Sequence, residues 1–263
     1  MKGNIIMKKT STLSALCAAL LSAGINTASA AECPAISYEQ LTSALKGIVK
    51  PSGGRPNGGL DFNMWATVVS TDGTVCLLTK TGDLLNDQWL GSRSIAAQKA
   101  STAIFFSTPD FALSTANLYA PTQPGGSLFG LQLSNPVNPA VVYAGDSALY
   151  GTANDPMVGL KPGGINVFGG GLPLYDKNGT LVGAIGVSGD TSCADHNIAT
   201  GVRFRLGFSN VPAGVNNGTD NIIYDAVAGN GNGKIDGFEH PECGGNEVNV
   251  NNNIQNFILN NSK

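Results

Sequence analysis

Charge is scarce in this sequence: Asp, Glu, Lys and Arg make up 13% of its 263 residues, with 15 basic against 18 acidic. Histidine is scarcer still, with two in the whole chain. No basic run offsets the negative balance, so the surface repels nucleic acid and anionic lipid. Beyond residue 30 no apolar stretch is long enough to cross a bilayer, which excludes membrane insertion of the mature chain. There is no G-x-S-x-G elbow, and both histidines sit beside cysteines, so a serine hydrolase has little support. No dinucleotide fingerprint follows a strand pattern. These absences leave a binding role, or chemistry carried by a ligand, as the open classes.

The N-terminus has the three parts of a secretory signal peptide. Met7-Lys8-Lys9 is the charged start, residues 13–21 are almost wholly apolar, and Ala28-Ser29-Ala30 offers a cleavage site. Leu16 stands before Cys17 where a lipobox needs a small residue. Cleavage near Ala30 and a periplasmic or secreted product are therefore expected. Residues 1–30 hold three of the 15 basic residues and no acid, leaving 12 basic against 18 acidic residues in the mature chain.

Four cysteines remain after that cut: Cys33, Cys76, Cys193 and Cys243. An even count in an oxidising compartment reads as two disulfides, for which three pairings exist. We favour Cys33–Cys76, pinning the N-terminal segment to a strand, and Cys193–Cys243, tying a C-terminal extension to the core.

Along the mature chain, Ser37-Tyr38-Glu39-Gln40 has the S-x-x-Q form of a capping box and predicts a helix to about Ile48. Residues 64–71 and 74–80 are β-rich and flank Asp72-Gly73, which suits a tight type I′ hairpin. Residues 92–106 predict an Ala-rich helix. Residues 107–164 are rich in Pro, Gly and Asn, with a short helix near 114–119; a long ordered excursion of this kind is more often functional than idle. Short strands are expected at 165–168 and 172–175 around Gly169-Gly170-Gly171. Asp176-Lys177-Asn178-Gly179 turns into a strand over 180–188, small or aliphatic on both faces and so covered on both sides. Residues 195–206 predict a closing helix. Antiparallel hairpins with segregated helices mean an α+β fold. The expected organisation is a signal peptide (1–30), one ligand-binding domain (31–210) and an extension (211–263) tied back to it.

Several of these segments resemble a known family in the same order. Lys99-Ala100-Ser101-Thr102-Ala103 resembles a KA-x-TA helix, and Gly170-Gly171-Leu172-Pro173-Leu174 a GG-x-P strand. The run from Asp176 to Gly189 is similar to a D-x-x-G-x-x-(I/V)-GAIGVSG hairpin, and Asp195 with Ile198-Ala199 fits a D-x-x-IA helix opening. Together they resemble the GlcG/HbpS family (DUF336-like) over roughly residues 38–207. The resemblance implies a profilin-like α/β/α arrangement around a five-stranded antiparallel sheet, assembled into dimers or larger oligomers. It also implies binding of haem or a related tetrapyrrole, and for some members haem degradation or iron release. The long excursion and the residues after 208 depart from the family pattern.

The candidate ligand site follows from residue chemistry. Gly169, Gly170 and Gly171 would let a flat ligand approach the backbone. Ser188 and Gly189, with the start of the closing helix, offer N–H groups for a carboxylate such as a haem propionate. Arg93 and Lys99 could meet the same anion. The equally plain reading gives the glycines to sheet packing. Haem iron takes His, Met, Cys or Tyr, which points to His196 and His240, with Tyr119, Tyr143 and Tyr150 as alternatives. Cys193-Ala194-Asp195-His196 and His240-Pro241-Glu242-Cys243 also have the ligand count of a tetrahedral zinc site, unless the cysteines are oxidised. Residues 230–239 imitate part of a calcium loop, but Ala228 falls at its first ligand position and cannot coordinate. The leading expectation is an exported haem binder; a haem-degrading or iron-releasing enzyme and a ligand-sensing or interaction module are the alternatives.

Overall fold

The computed structural model describes Met1, residues 31–225 and residues 237–261. The signal-peptide segment and most of the calcium-loop look-alike lie outside the described residues. Helix α1 spans Tyr38–Lys46, and its capping box forms as expected: Ser37 accepts from the Gln40 backbone while the Gln40 side chain accepts from Ser37. The helix ends at Gly47, before the Ile48 that the sequence suggested.

Four strands form an antiparallel sheet in the order β2-β1-β4-β3, with β1 Trp65–Val69, β2 Val75–Lys80, β3 Gly171–Tyr175 and β4 Leu181–Ser188. Among the described residues the main sheet has four strands where the family resemblance implies five. The expected strand at 165–168 does not form. Its Ile165 and Val167 are buried beside Leu118, and the Asn166 backbone N–H donates to Thr102 Oγ1 rather than to a strand. The two turns also share a design that dipeptide reading missed. In each, a backbone N–H and C=O pair closes across three residues, Ser70 with Thr74 and Asp176 with Thr180, and the third turn residue is a left-handed glycine, Gly73 or Gly179. Only that glycine has a positive φ, so the first hairpin is a three-residue turn with a bulge and not the two-residue I′ form.

Helix α2 (Gly91–Phe105) covers one face of the sheet, and α1 with α3 (Ser192–Arg205) covers the other. Alternation along β4 explains the sorting: Ile185 and Val187 join the α1/α3 core with Leu172, Leu174, Ile198 and Val202, while Ala184 faces the alanines of α2. At Gly186 a Cβ would lie 1.9 Å from the Ala96 carbonyl oxygen, so only glycine lets α2 lie this close to the central strand. Helix α3 begins three residues before the expected Asp195, because Thr191 caps it by accepting from the Ala194 N–H.

The excursion between α2 and β3 packs as single turns and short 3-10 helices, including Thr115–Leu118 near the expected short helix. After α3 the chain runs on to a two-stranded parallel pair, β5 (Tyr224–Asp225) with β6 (His240–Pro241), and to helix α4 (Glu247–Asn261), which packs on α3. Both disulfides pair as favoured, Cys33 with Cys76 and Cys193 with Cys243. Among the described residues no helix is long and apolar enough to cross a membrane.

Candidate functional site

The residues singled out from sequence divide between two places. Arg93 lies in one of them, buried under the excursion. Its guanidinium makes a two-pronged ion pair with Asp155, donates to the Val142 carbonyl at 2.6 Å and stacks over the Tyr150 ring. All these partners belong to the excursion. Arg93 thus anchors the excursion to α2. Asp155, 62 residues away, carried no signal in the sequence. Tyr150 is taken up by the same packing, and Tyr143 is exposed.

Lys99, Gly169–Gly171, Ser188, Gly189, His196 and His240 come together at the other place, around the start of α3. Lys99 is 1% exposed and donates to Asp195 Oδ2 at 2.6 Å, to the Val187 carbonyl at 3.2 Å and to Ser188 Oγ at 3.4 Å. Burial pulls both members of the pair toward their neutral forms, lowering Lys99 and raising Asp195 to about 6, while their mutual attraction opposes this. Asp195 also accepts from the Asp190 N–H, so its two oxygens fix the Ser188–Asp190 turn against α2. The D-x-x-IA pattern contained Asp195, but nothing in its spacing named Lys99 as the partner.

The glycines are buried and pressed against backbone. A Cβ at Gly170, where φ is +115°, would fall 2.3 Å from the Val187 carbonyl oxygen. At Gly169, Gly171 and Gly189 it would fall 2.4–2.5 Å from the carbonyls of Ser192, Lys99 and Asn63. These glycines therefore serve close packing of chain on chain. Open clefts of about 510–560 Å³ lie around α1, with Arg205 lining two of them.

Both histidines are buried at the seam where the chain beyond α3 covers that helix. His240 Nε2 lies 2.7 Å from Ser192 Oγ, which in turn accepts from the Gly169 N–H at 2.6 Å. Its Nδ1 lies 2.7 Å from the Pro241 carbonyl oxygen, and the Tyr119 ring packs against it at 4.9 Å. His196 Nε2 accepts from the Ile222 N–H at 3.1 Å, and its Nδ1 is buried without a hydrogen-bond partner. Burial lowers both imidazoles to about 4, so both are neutral at neutral pH. In His196 the ring proton therefore sits on Nδ1, and in His240 on the Nδ1 that faces the Pro241 carbonyl, so either ring would ligate a metal through Nδ1 only after that proton moves to Nε2. Imidazole is a haem-iron ligand, and here Asn221 and Ile222 lie against His196 while His240 lies against Ser192.

A family model described as "Haem degrading protein HbpS-like" matches residues 59–203, more than half of the chain. The chain belongs to the HbpS-like family. A curated relative, an uncharacterized 15.0 kDa protein from the dhaT-dhaS intergenic region of Citrobacter freundii, is 30% identical over 133 residues, which are 51% of this chain and 68% of that protein. Solved structures similar to this chain include a PduOC:haem complex, at 24% identity with a TM-score of 0.42, covering 64% of this chain and 89% of that one. Another is protein ORFY of Klebsiella pneumoniae (family-model DUF336), at 23% identity with a TM-score of 0.42, covering 64% of this chain and 86% of that one. The residues that close over His196 and Ser192 all lie beyond the matched HbpS-like segment.

Proposed function

We propose that the protein is an exported binder of haem or a closely related tetrapyrrole. The ligand-binding domain would span residues 31–210, with the 211–263 extension acting as a cover over its binding face. The HbpS-like match over residues 59–203 is the observation that carries this reading. His196 and His240 support it: both are neutral imidazoles at the seam under the cover, and in His196 a shift of the ring proton to Nε2, with Asn221 Oδ1 at 3.2 Å to accept it, would free Nδ1. Tyr119 would pack beside the ligand, and Lys99 with Ser188 would stay below it as the floor. Binding then requires Asn221, Ile222 and His240 to move off His196 and Ser192 while the Cys193–Cys243 bridge holds, since the glycine floor itself is tightly packed.

Titration of the purified mature chain with haemin tests the proposal. A saturable Soret shift is expected, weakened about tenfold or more by His196→Ala or His240→Ala. No shift with the full chain sinks it, and a shift abolished by Arg205→Glu but untouched by either histidine variant moves the site to the clefts around α1. A second reading, haem degradation, is favoured by the description of the family. Loss of the Soret band with peroxide, faster than for free haemin, would support it. Export is checked by the N-terminus of the secreted product, expected to begin at Ala31. Assembly into a dimer or larger is part of the same proposal; light scattering at a monomer mass overturns it. The exposed Phe62–Trp89 pair, flanked by Leu60 and Leu90, supports a self-associating surface.

A further inference from the structure

We propose that the Cys193–Cys243 disulfide masks a divalent transition-metal site, which forms from the two cysteines and His240 when the bridge is reduced. Sγ of Cys193, Sγ of Cys243 and a ring nitrogen of His240 all lie within 4.8 Å of one another. His240 Nδ1 is 3.9 Å from Cys193 Sγ, so this is the nitrogen that faces the sulfurs; its proton, now directed at the Pro241 carbonyl at 2.7 Å, moves to Nε2 when metal binds. Its other nitrogen points to Ser192 Oγ at 2.7 Å, and Ser192 is fixed by the Gly169 N–H. A metal-bound imidazole is oriented by a hydrogen bond from its second nitrogen in just this manner. Two thiolates and one imidazole suit a borderline ion such as Zn²⁺, with a fourth position left for water or the adjacent Pro241 carbonyl.

Local structure favours thiolates here. Cys193 lies in the first turn of α3, and its backbone N–H donates to Cys243 Sγ at 3.2 Å, so partial positive charge from the helix faces the sulfur. The turn that carries Cys243 is also held without the disulfide. Backbone N–H groups of Cys243, Gly244 and Gly245 donate to the buried Glu247 carboxylate, and Asn251 donates to Asn197 on α3. Opening the S–S bond therefore leaves both sulfurs near His240. Cys193 is fully buried, whereas Cys243 is partly exposed and gives a reductant its point of attack.

The chemistry balances with a phosphine as reductant. The S–S bond breaks, the phosphine takes an oxygen from water and becomes the phosphine oxide, and water supplies the two protons of the new thiols. Metal binding then displaces those two protons, forming two metal–sulfur bonds and one metal–nitrogen bond.

Co²⁺ titration of the full mature chain, before and after reduction by a water-soluble phosphine, tests this. The reduced protein is expected to bind one Co²⁺ per chain with thiolate charge-transfer absorption and intense visible bands of tetrahedral cobalt; the oxidised protein shows neither. His240→Ala should weaken Co²⁺ binding about 100-fold, and Cys243→Ser should abolish the charge-transfer band. Two results overturn the proposal: no such bands in reduced protein, or undiminished binding by His240→Ala. Loss of near-UV circular dichroism on reduction, not restored by Co²⁺, also overturns it, because the site depends on a preserved turn. The result is independent of haem: a chain that fails the haemin titration still shows the cobalt spectrum.

Discussion

Arg93 and Asp155 meet as a two-pronged ion pair in the interior, both side chains at most 2% exposed, and they join helix α2 to the long excursion across 62 residues of sequence. Asp155 also accepts from the backbone N–H groups of Gly151 and Met157, so one carboxylate organises the whole turn around it. Arg93→Ala and Asp155→Ala are each expected to destabilise by roughly 3–5 kcal/mol, since each leaves an uncompensated buried charge. Because both lose the same pair, the double variant should cost well under the sum. Denaturant unfolding of the three variants checks this, and additive losses would show that the two side chains act independently.

The glycines at the centre of the site should be intolerant of a methyl group. Gly186→Ala places a Cβ within bonding range of the Ala96 carbonyl, and Gly170→Ala adds strain at a positive φ. Each is expected to cost about 3 kcal/mol or more. Gly91→Ala is the control, because nothing lies near its added Cβ. Equal unfolding midpoints for the three variants would contradict the close-packing role.

Stability should fall on acidification. His196 and His240 are held at about 4, below the ordinary 6.5, so between these values the unfolded chain binds two protons that the folded chain refuses. Asp195 acts oppositely: raised from 3.8 to about 6, it takes its proton in the folded state first and favours folding as pH drops. Two histidines outweigh one carboxylate. From these three groups the net slope is roughly 1.4 kcal/mol lost per pH unit between about pH 6 and 4. Urea midpoints at pH 7.5, 5.5 and 4.5 measure it, and His196→Gln should flatten the slope.

The Cys33–Cys76 bridge closes a loop across 43 residues and ties the segment before α1 to β2. Replacing both cysteines by serine is expected to cost roughly 2–4 kcal/mol, chiefly by releasing the unfolded chain. Thermal melting of oxidised wild type against the double variant reads this out. An unchanged midpoint would mean that the unfolded chain is not restrained by the bridge.

Local signals carried through where the physics is local. Ser37 and Gln40 cap their helix because capping spans three residues. Gly179 lies in its turn because φ preference belongs to one residue. The segment at 165–168 failed as a strand because Thr102 and Leu118, both distant in sequence, supply its hydrogen bond and its apolar cover. Arg93 and Lys99 looked alike as cations six residues apart on one helix. One is committed to Asp155 and the other to Asp195, and no spacing rule distinguishes them.

Periodicity, capping and turn residues were enough, in the sequence alone, to place the helices α1, α2 and α3 and the strands β1 to β4, though not the form of the first turn or the fate of residues 165–168. Tertiary structure alone decided that the glycine floor is filled and that the chain beyond α3 lies across His196 and Ser192. The reason is range. Backbone preferences act within a few residues, whereas the contacts of His240 with Ser192, and of Asn197 with Glu247, bring together groups 48 and 50 residues apart that meet only once the sheet and its helices have packed.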